Sequence, residues 1–191
     1  MQPIVTYKER CRRCYSCVRT CPVKAIKVDQ GFAEIIYDRC IGCGNCLSCP
    51  QNAKVVVDKM VNTQELLASG APVVAVLGCS FPSHFHSITP GPRMISDSYR
   101  ETLQNAQLPL ISSHCPAVVD LVERHYPKLL PNLIGVVSPM IAMGRFIKGV
   151  LGEETRVVYV SSCIAAKFEV QSEESAGAID VVLTYREMDK L

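Results

Sequence analysis

Two blocks of closely spaced cysteines constrain this 191-residue chain more than any other feature. Cys11, Cys14 and Cys17 are each separated by two residues, and Cys40, Cys43 and Cys46 repeat that spacing. Each block closes on Cys-Pro, then two residues, then alanine: Cys21-Pro22-Val23-Lys24-Ala25 and Cys49-Pro50-Gln51-Asn52-Ala53. Eight of the 11 cysteines therefore fall within the first 49 residues. Such a repeat predicts a small pseudo-symmetric unit over residues 1–60. Residues 25–29 and 33–38 alternate like two strands around Gly31, so a hairpin should join the blocks. A unit this small cannot rely on a hydrophobic core alone. Its cross-links must hold it together.

The N-terminus, MQPIVTYKERC, lacks the apolar run of a secretory signal, and no stretch approaches the ~18–20 apolar residues of a membrane span. The expected setting is a reducing, anaerobic cytoplasm, with no membrane partner. There, clustered cysteines are metal ligands rather than disulfides, and an odd number of them fits no closed disulfide framework. Zinc sites usually separate two cysteine pairs by a longer loop. The run Cys-x2-Cys-x2-Cys-x3-Cys-Pro at 11–22 is that of bacterial ferredoxins, where three thiolates cap one iron–sulfur cubane and the fourth cysteine serves the other. By that rule Cys11, Cys14, Cys17 and Cys49 hold cluster one. Cys40, Cys43, Cys46 and Cys21 hold cluster two. The second block departs from the run, with only Leu47 and Ser48 between Cys46 and Cys49, so Cys49 should be displaced relative to Cys21.

Charge agrees with two [4Fe–4S] clusters. Residues 1–60 hold ten Lys/Arg against five Asp/Glu, a balance of +5, while residues 61–191 hold ten against 13, or −3. Two cubanes with their thiolates add about −4 to −6, which the basic segment roughly offsets. Arg10, Arg12, Arg13, Arg19 and Arg39 crowd the cysteines themselves, and aromatic residues are few. Compensation of anionic clusters explains this better than nucleic-acid binding. A unit of this kind shuttles single electrons with a redox protein partner.

Residues 61–191 have a different texture. Val73–Leu77, 157–160 and 179–183 are β-branched runs, as in strands buried on both faces. Helical patterns cover 117–125, with Val118, Leu121, Val122 and His125 on one face, and 139–150, with Ser138 as N-cap and Pro139 in the first turn. Thr184 and Glu187 fit a capping box opening a last short helix. The expected architecture is an α+β ferredoxin-like 2[4Fe–4S] domain at 1–60, followed by an incomplete α/β domain at 61–191.

Specific motifs in this second part resemble those of iron-only ([FeFe]) hydrogenases, in the regulatory or sensory-like branch. Ser112-Ser113-His114-Cys115-Pro116-Ala117-Val118-Val119 resembles the first signature, and Ser138-Pro139-Met140-Ile141-Ala142-Met143-Gly144 its continuation. Ser162-Cys163-Ile164-Ala165-Ala166-Lys167-Phe168-Glu169 resembles the second signature, and 180–187 the segment before the third. Leu77-Gly78-Cys79-Ser80-Phe81-Pro82 resembles the turn that opens the catalytic domain. The resemblance implies a third cubane joined through one cysteine to a two-iron subsite, which interconverts protons, electrons and dihydrogen. Cys115 and Cys163 match two of the four ligands of that cubane. The other two belong to the third signature, which does not occur within the 191 residues.

The remaining differences concern the same site. His114 stands where the family has a proton-relaying cysteine; an imidazole there can carry protons near neutral pH, or simply cap the next helix. Ala166 replaces a family lysine, with Lys167 one position away. Cys79 replaces a family proline, either as a substitute ligand or as a small buried hydrophobe. The segment 88–109 is shorter than its family counterpart, which should narrow the sheet. His84 and His86 read as an exposed turn, and Met140 and Met143 as helix packing. An incomplete sheet leaves an open edge, which a homodimer or a partner subunit would cover. Three readings stand: an iron–sulfur electron carrier or redox sensor on a hydrogenase-like scaffold, a hydrogenase completed by a further segment or partner chain, and a truncated interaction fragment.

Overall fold

The computed structural model describes residues 2–78, 90–105 and 109–190. Strand β1 (Ile4–Thr6) leads through a 3-10 turn, Lys8–Arg10, to helix α1 (Ser16–Thr20), which carries Cys17. Strands β2 (Ile26–Asp29) and β3 (Phe32–Ile35) form the expected hairpin, with Ile26 opposite Ile35 and Asp29 opposite Phe32. Gln30 and Gly31 turn it at φ 47° and 83°, a mirror-type turn that matches strand twist. β3 is shorter than the alternation suggested because a second 3-10 turn, Tyr37–Arg39, follows it. Strand β4 (Lys54–Val56) then returns antiparallel to β1 and closes the unit end to end.

The cysteine repeat is also a repeat of backbone conformation. Arg13 and Tyr15 adopt left-handed φ of 57° on either side of Cys14, and Gly42 and Gly44 do the same at 65° and 78° around Cys43. Lys24 and Asn52 match likewise at 50° and 48°. The one-residue deletion before Cys49 is absorbed by a change of helix type. Cys17 to Cys21 runs along α1, whereas Cys46 to Cys49 runs along a 3-10 turn, Asn45–Ser48. Four residues at ~1.5 Å rise and three at ~2.0 Å both advance ~6 Å, so each closing cysteine ends at a similar height.

The remainder is α/β. In order come α2 (Met60–Ala68), β5 (Val73–Leu77), α3 (Pro90–Asn105), α4 (Pro116–His125), α5 (Pro139–Leu151), β6 (Arg156–Val160), α6 (Ala165–Glu169), β7 (Val181–Leu183) and α7 (Tyr185–Met188). The strands form a parallel sheet in the order β5-β6-β7. One face packs Val76, Val157 and Val182 on Met140, Ile141, Met143 and Ile147 of α5, so both methionines are packing residues. The other face packs Val158, Val160 and Leu183 against Leu66 of α2 and Tyr185 and Met188 of α7. Ser138 accepts from the Ile141 N–H, and Thr184 and Glu187 complete a capping box. β7 begins at Val181 rather than at Ile179. Just before it, the Asp180 carboxylate accepts the Val157 N–H at 2.8 Å and pairs with Lys148 and Arg156 at 3.0 Å each. The segment expected to be shortened carries the 16-residue α3.

Candidate metal centres

The small core of the first unit is built partly from its cysteines. Cys17 is buried with Ile4, Ile26, Ala33 and Ile35, and Cys21, Cys40 and Cys46 pack against that group. Cys21, Cys40, Cys43 and Cys46 line one common cavity, together with Ile4, Ile26 and Ile35. Cys17 in turn feels the charges of Cys49 and Cys11, which places those three thiols near one another. Cys14 and Cys43, at the tips of the two loops, are exposed.

Burial pushes the thiols of Cys17 and Cys40 up and that of Cys46 up to about 12, whereas a hydrogen bond from the Ala33 backbone pulls Cys11 down. Among the described residues no three metal-ligating side chains converge on a point where one ion would sit. A cubane needs a wider cage, with one thiolate at each iron, and soft sulfur donors from two chain segments around a shared cavity are the donor set it takes. The residues fit two such clusters. Loaded, these would supply one-electron redox chemistry; the chain's part is to hold the thiolates apart, exclude water and balance charge.

The second loop also carries the junction with the α/β part. Phe168 of α6 lies over Gly42, where a Cβ would meet its ring at 2.7 Å, and a Cβ on Gly44 would meet Ile164 at 3.4 Å. Glycine is required at position 42 by both φ and space. At the equivalent position Arg13 places its guanidinium over Phe32, 4.9 Å from the ring centroid. Gly42→Ala is therefore expected to cost about 1–3 kcal/mol, from left-handed strain and displacement of Phe168. Thermal unfolding of the cluster-loaded chain measures it. Nearby, Arg124 donates to the Tyr37 carbonyl at 3.0 Å, and the His125 ring lies 2.8 Å from the Arg39 carbonyl oxygen. His125, expected on an apolar face, is thus a junction residue.

The hydrogenase-like motifs sit where two helices begin. Cys115 is the N-cap residue of α4, with Pro116 in its first turn, and Cys163 immediately precedes Ile164, the N-cap of α6. Both are exposed, and α4 and α6 pack on each other. His114 is exposed and lines a groove with Tyr99 and Arg100 of α3. Ala166 is buried, and so is Lys167, whose ammonium pairs with Glu187 at 2.7 Å and donates to the Val57 carbonyl at 3.2 Å. Lys167 is thereby committed to the structure. Cys79, His84 and His86 lie outside the described residues.

Two groups escaped sequence reasoning. One is Lys54, buried at the heart of the first unit. The other is Glu169, at the edge of a cavity of about 620 Å3 shared with Tyr37, Asp38 and Ser138. Its Oε2 is buried without a hydrogen-bond partner. Burial raises this carboxyl to about 7, with Asp120 adding to the rise and a Ser138 hydrogen bond opposing it. A raised folded-state value means that the folded chain loses stability as pH climbs from the ordinary 4.5 to about 7. Glu169→Gln should flatten that loss and gain about 1–3 kcal/mol at pH 8, read from denaturant unfolding at both pH values.

Two family models match the chain. Residues 94–191 match the family model described as "Iron only hydrogenase large subunit, C-terminal domain", and residues 3–50 match a 4Fe-4S dicluster domain. The chain belongs to the iron-only hydrogenase large-subunit family, with a ferredoxin-like domain for two [4Fe–4S] clusters ahead of its hydrogenase-like part. It is 26% identical over 243 residues to the NADP-reducing hydrogenase subunit HndD of Solidesulfovibrio fructosivorans, covering 95% of this chain and 41% of that protein. It is 43% identical over 54 residues to the electron transport protein HydN of Escherichia coli (strain K12), covering 27% of this chain and 31% of that one. A solved structure from work on stepwise [FeFe]-hydrogenase H-cluster assembly aligns over 52% of this chain and 27% of its own, at 22% identity and a TM-score of 0.42. The chain thus spans less than half the length of these relatives. Among the described residues no helix is long and apolar enough to cross a membrane.

Proposed function

We propose that this chain relays single electrons between an external redox protein and the hydrogenase-like part, through two clusters with crossed ligation. Cys11, Cys14, Cys17 and Cys49 hold the outer cluster; Cys40, Cys43, Cys46 and Cys21 hold the inner one. The observation that carries this reading is the cavity lined by Cys21 from the first block together with Cys40, Cys43 and Cys46 from the second. The functional units divide near residue 60. Direction follows from surroundings. Both loop-tip cysteines are exposed, but the inner loop is packed against α6, just after Cys163, whereas the outer loop carries the exposed Arg10, Arg12 and Arg13 around Cys14. Such a cationic rim suits a redox partner with an acidic docking face.

Ligand variants test the crossed scheme. With Cys40→Ser and Cys43→Ser, only the outer cluster assembles, at about four irons. Adding Cys49→Ser should then abolish it, while adding Cys21→Ser should leave it intact. The reverse pattern contradicts the scheme.

A second reading, hydrogen conversion, is favoured by one observation: Cys115 and Cys163 head two helices that pack together. Under it these thiols hold part of a further cubane, and His114 beside them carries protons. About twelve irons, with infrared bands from bound carbon monoxide and cyanide, would support it. About eight irons without such bands would leave the electron carrier alone.

A further inference from the structure

We propose that Lys54 is a tuning charge shared by the two clusters: a buried ammonium, held between the outer and inner ligand sets, that raises both reduction potentials. The proposal rests on the two-cluster reading above and goes beyond it.

Lys54 lies on β4 opposite Thr6 of β1 and is 3% exposed. Its ammonium donates to the Thr6 hydroxyl and to the Ala33 carbonyl. Ala33 belongs to the same buried group as Cys17, and Cys46 packs against that group. The lysine therefore ends among ligands of both sets. Burial holds its pKa below the ordinary lysine value, and what opposes that and favours the ammonium is the negative charge of Cys17, Cys46, Cys11 and Cys49, in that order. Among the described residues no carboxylate is paired with it. A buried ammonium with only neutral partners is destabilising, and the anions this fold offers it are the thiolates and their clusters.

The repeat shows that the fold itself does not demand a lysine here. Ala53-Lys54 corresponds to Ala25-Ile26 in the first half, and Ile26 is buried opposite Ile35 on the hairpin. Two equivalent inward positions thus carry an aliphatic side chain and a cation. Reduction adds one negative charge to a cluster, so a fixed nearby cation favours the reduced form. Because the charge lies among ligands of both sets, both potentials should move in the same direction.

The test is an EPR-monitored redox titration of the full chain, reconstituted anaerobically, as wild type and as Lys54→Met. Both proteins should load two clusters. At the ambient potential where each wild-type cluster is half reduced, the reduced-to-oxidised ratio of both clusters should be about tenfold lower in the variant, equivalent to about 59 mV for a one-electron couple. A fully loaded variant whose potentials match wild type overturns the proposal. Should Lys54→Met fail to load, Lys54→Gln takes its place in the same titration. If neither variant loads, Lys54 is a folding requirement and the tuning role is refuted. A wild-type chain that binds fewer than two clusters overturns the reading beneath, and the proposal with it.

Discussion

Replacing Lys167 by methionine is expected to destabilise the cluster-loaded chain by about 3–5 kcal/mol, because it strands a buried carboxylate. The Lys167 and Glu187 side chains are 4% and 8% exposed, and Glu187 Oε1 accepts from the Lys167 ammonium at 2.7 Å and from the Lys59 N–H at 2.9 Å. Oε2 accepts from the N–H and hydroxyl of Thr184, both at 2.7 Å. One carboxylate thus ties α6, α7 and the chain leaving β4 to a single point. Burial works against its ionisation, but the Lys167 and Thr184 hydrogen bonds outweigh it and hold Glu187 below the usual carboxylate range. Its contribution is present above that range and is lost as pH falls through the depressed value. In Lys167→Met with Glu187→Gln no charge remains buried while the capping oxygen is kept. The double variant should recover at least half of the loss in denaturant unfolding. A single variant within ~1 kcal/mol of wild type would remove the pair from this account.

The second large effect is expected from iron removal. The buried apolar core of the first unit comprises Ile4, Ile26, Ala33 and Ile35 around Cys17, with three further thiols packed on it. That is too little to fold sixty residues without cross-links, and Lys54 would lose its counter-charge as well. Chelation under anaerobic, reducing conditions should therefore abolish hydrogen-exchange protection in β1–β4, while β5–β7 keep theirs. Ligation requires thiolates, and burial raises Cys17, Cys40 and Cys46, so acid should hasten cluster loss. Persistent protection of the β2–β3 hairpin in iron-free protein would show that the clusters do not hold the unit together.

Much of this arrangement was legible in the sequence because it is written in local signals. The hairpin followed from alternation around Gly31, α5 from Ser138-Pro139, and α7 from the Thr184–Glu187 box. β1 and β4 escaped, since three-residue strands are too short to display a period and pair across the whole unit. The shortened spacing before Cys49 looked like a displacement; a 3-10 turn in place of an α-helical one removes most of it. Long-range partners were the harder part. Nothing local marks Lys54 as inward-facing except its match to Ile26, and the partners of Lys167 lie 20 residues ahead on Glu187 and 110 behind at Val57. The environment of Glu169, too, is made by elements distant in sequence.

Iron content bears most directly on the central claim. Anaerobically reconstituted chain should bind about eight irons with matching sulfide, and on reduction give the EPR signature of two interacting [4Fe–4S] clusters. About four irons or fewer, or iron bound without sulfide, would contradict a two-cluster electron carrier.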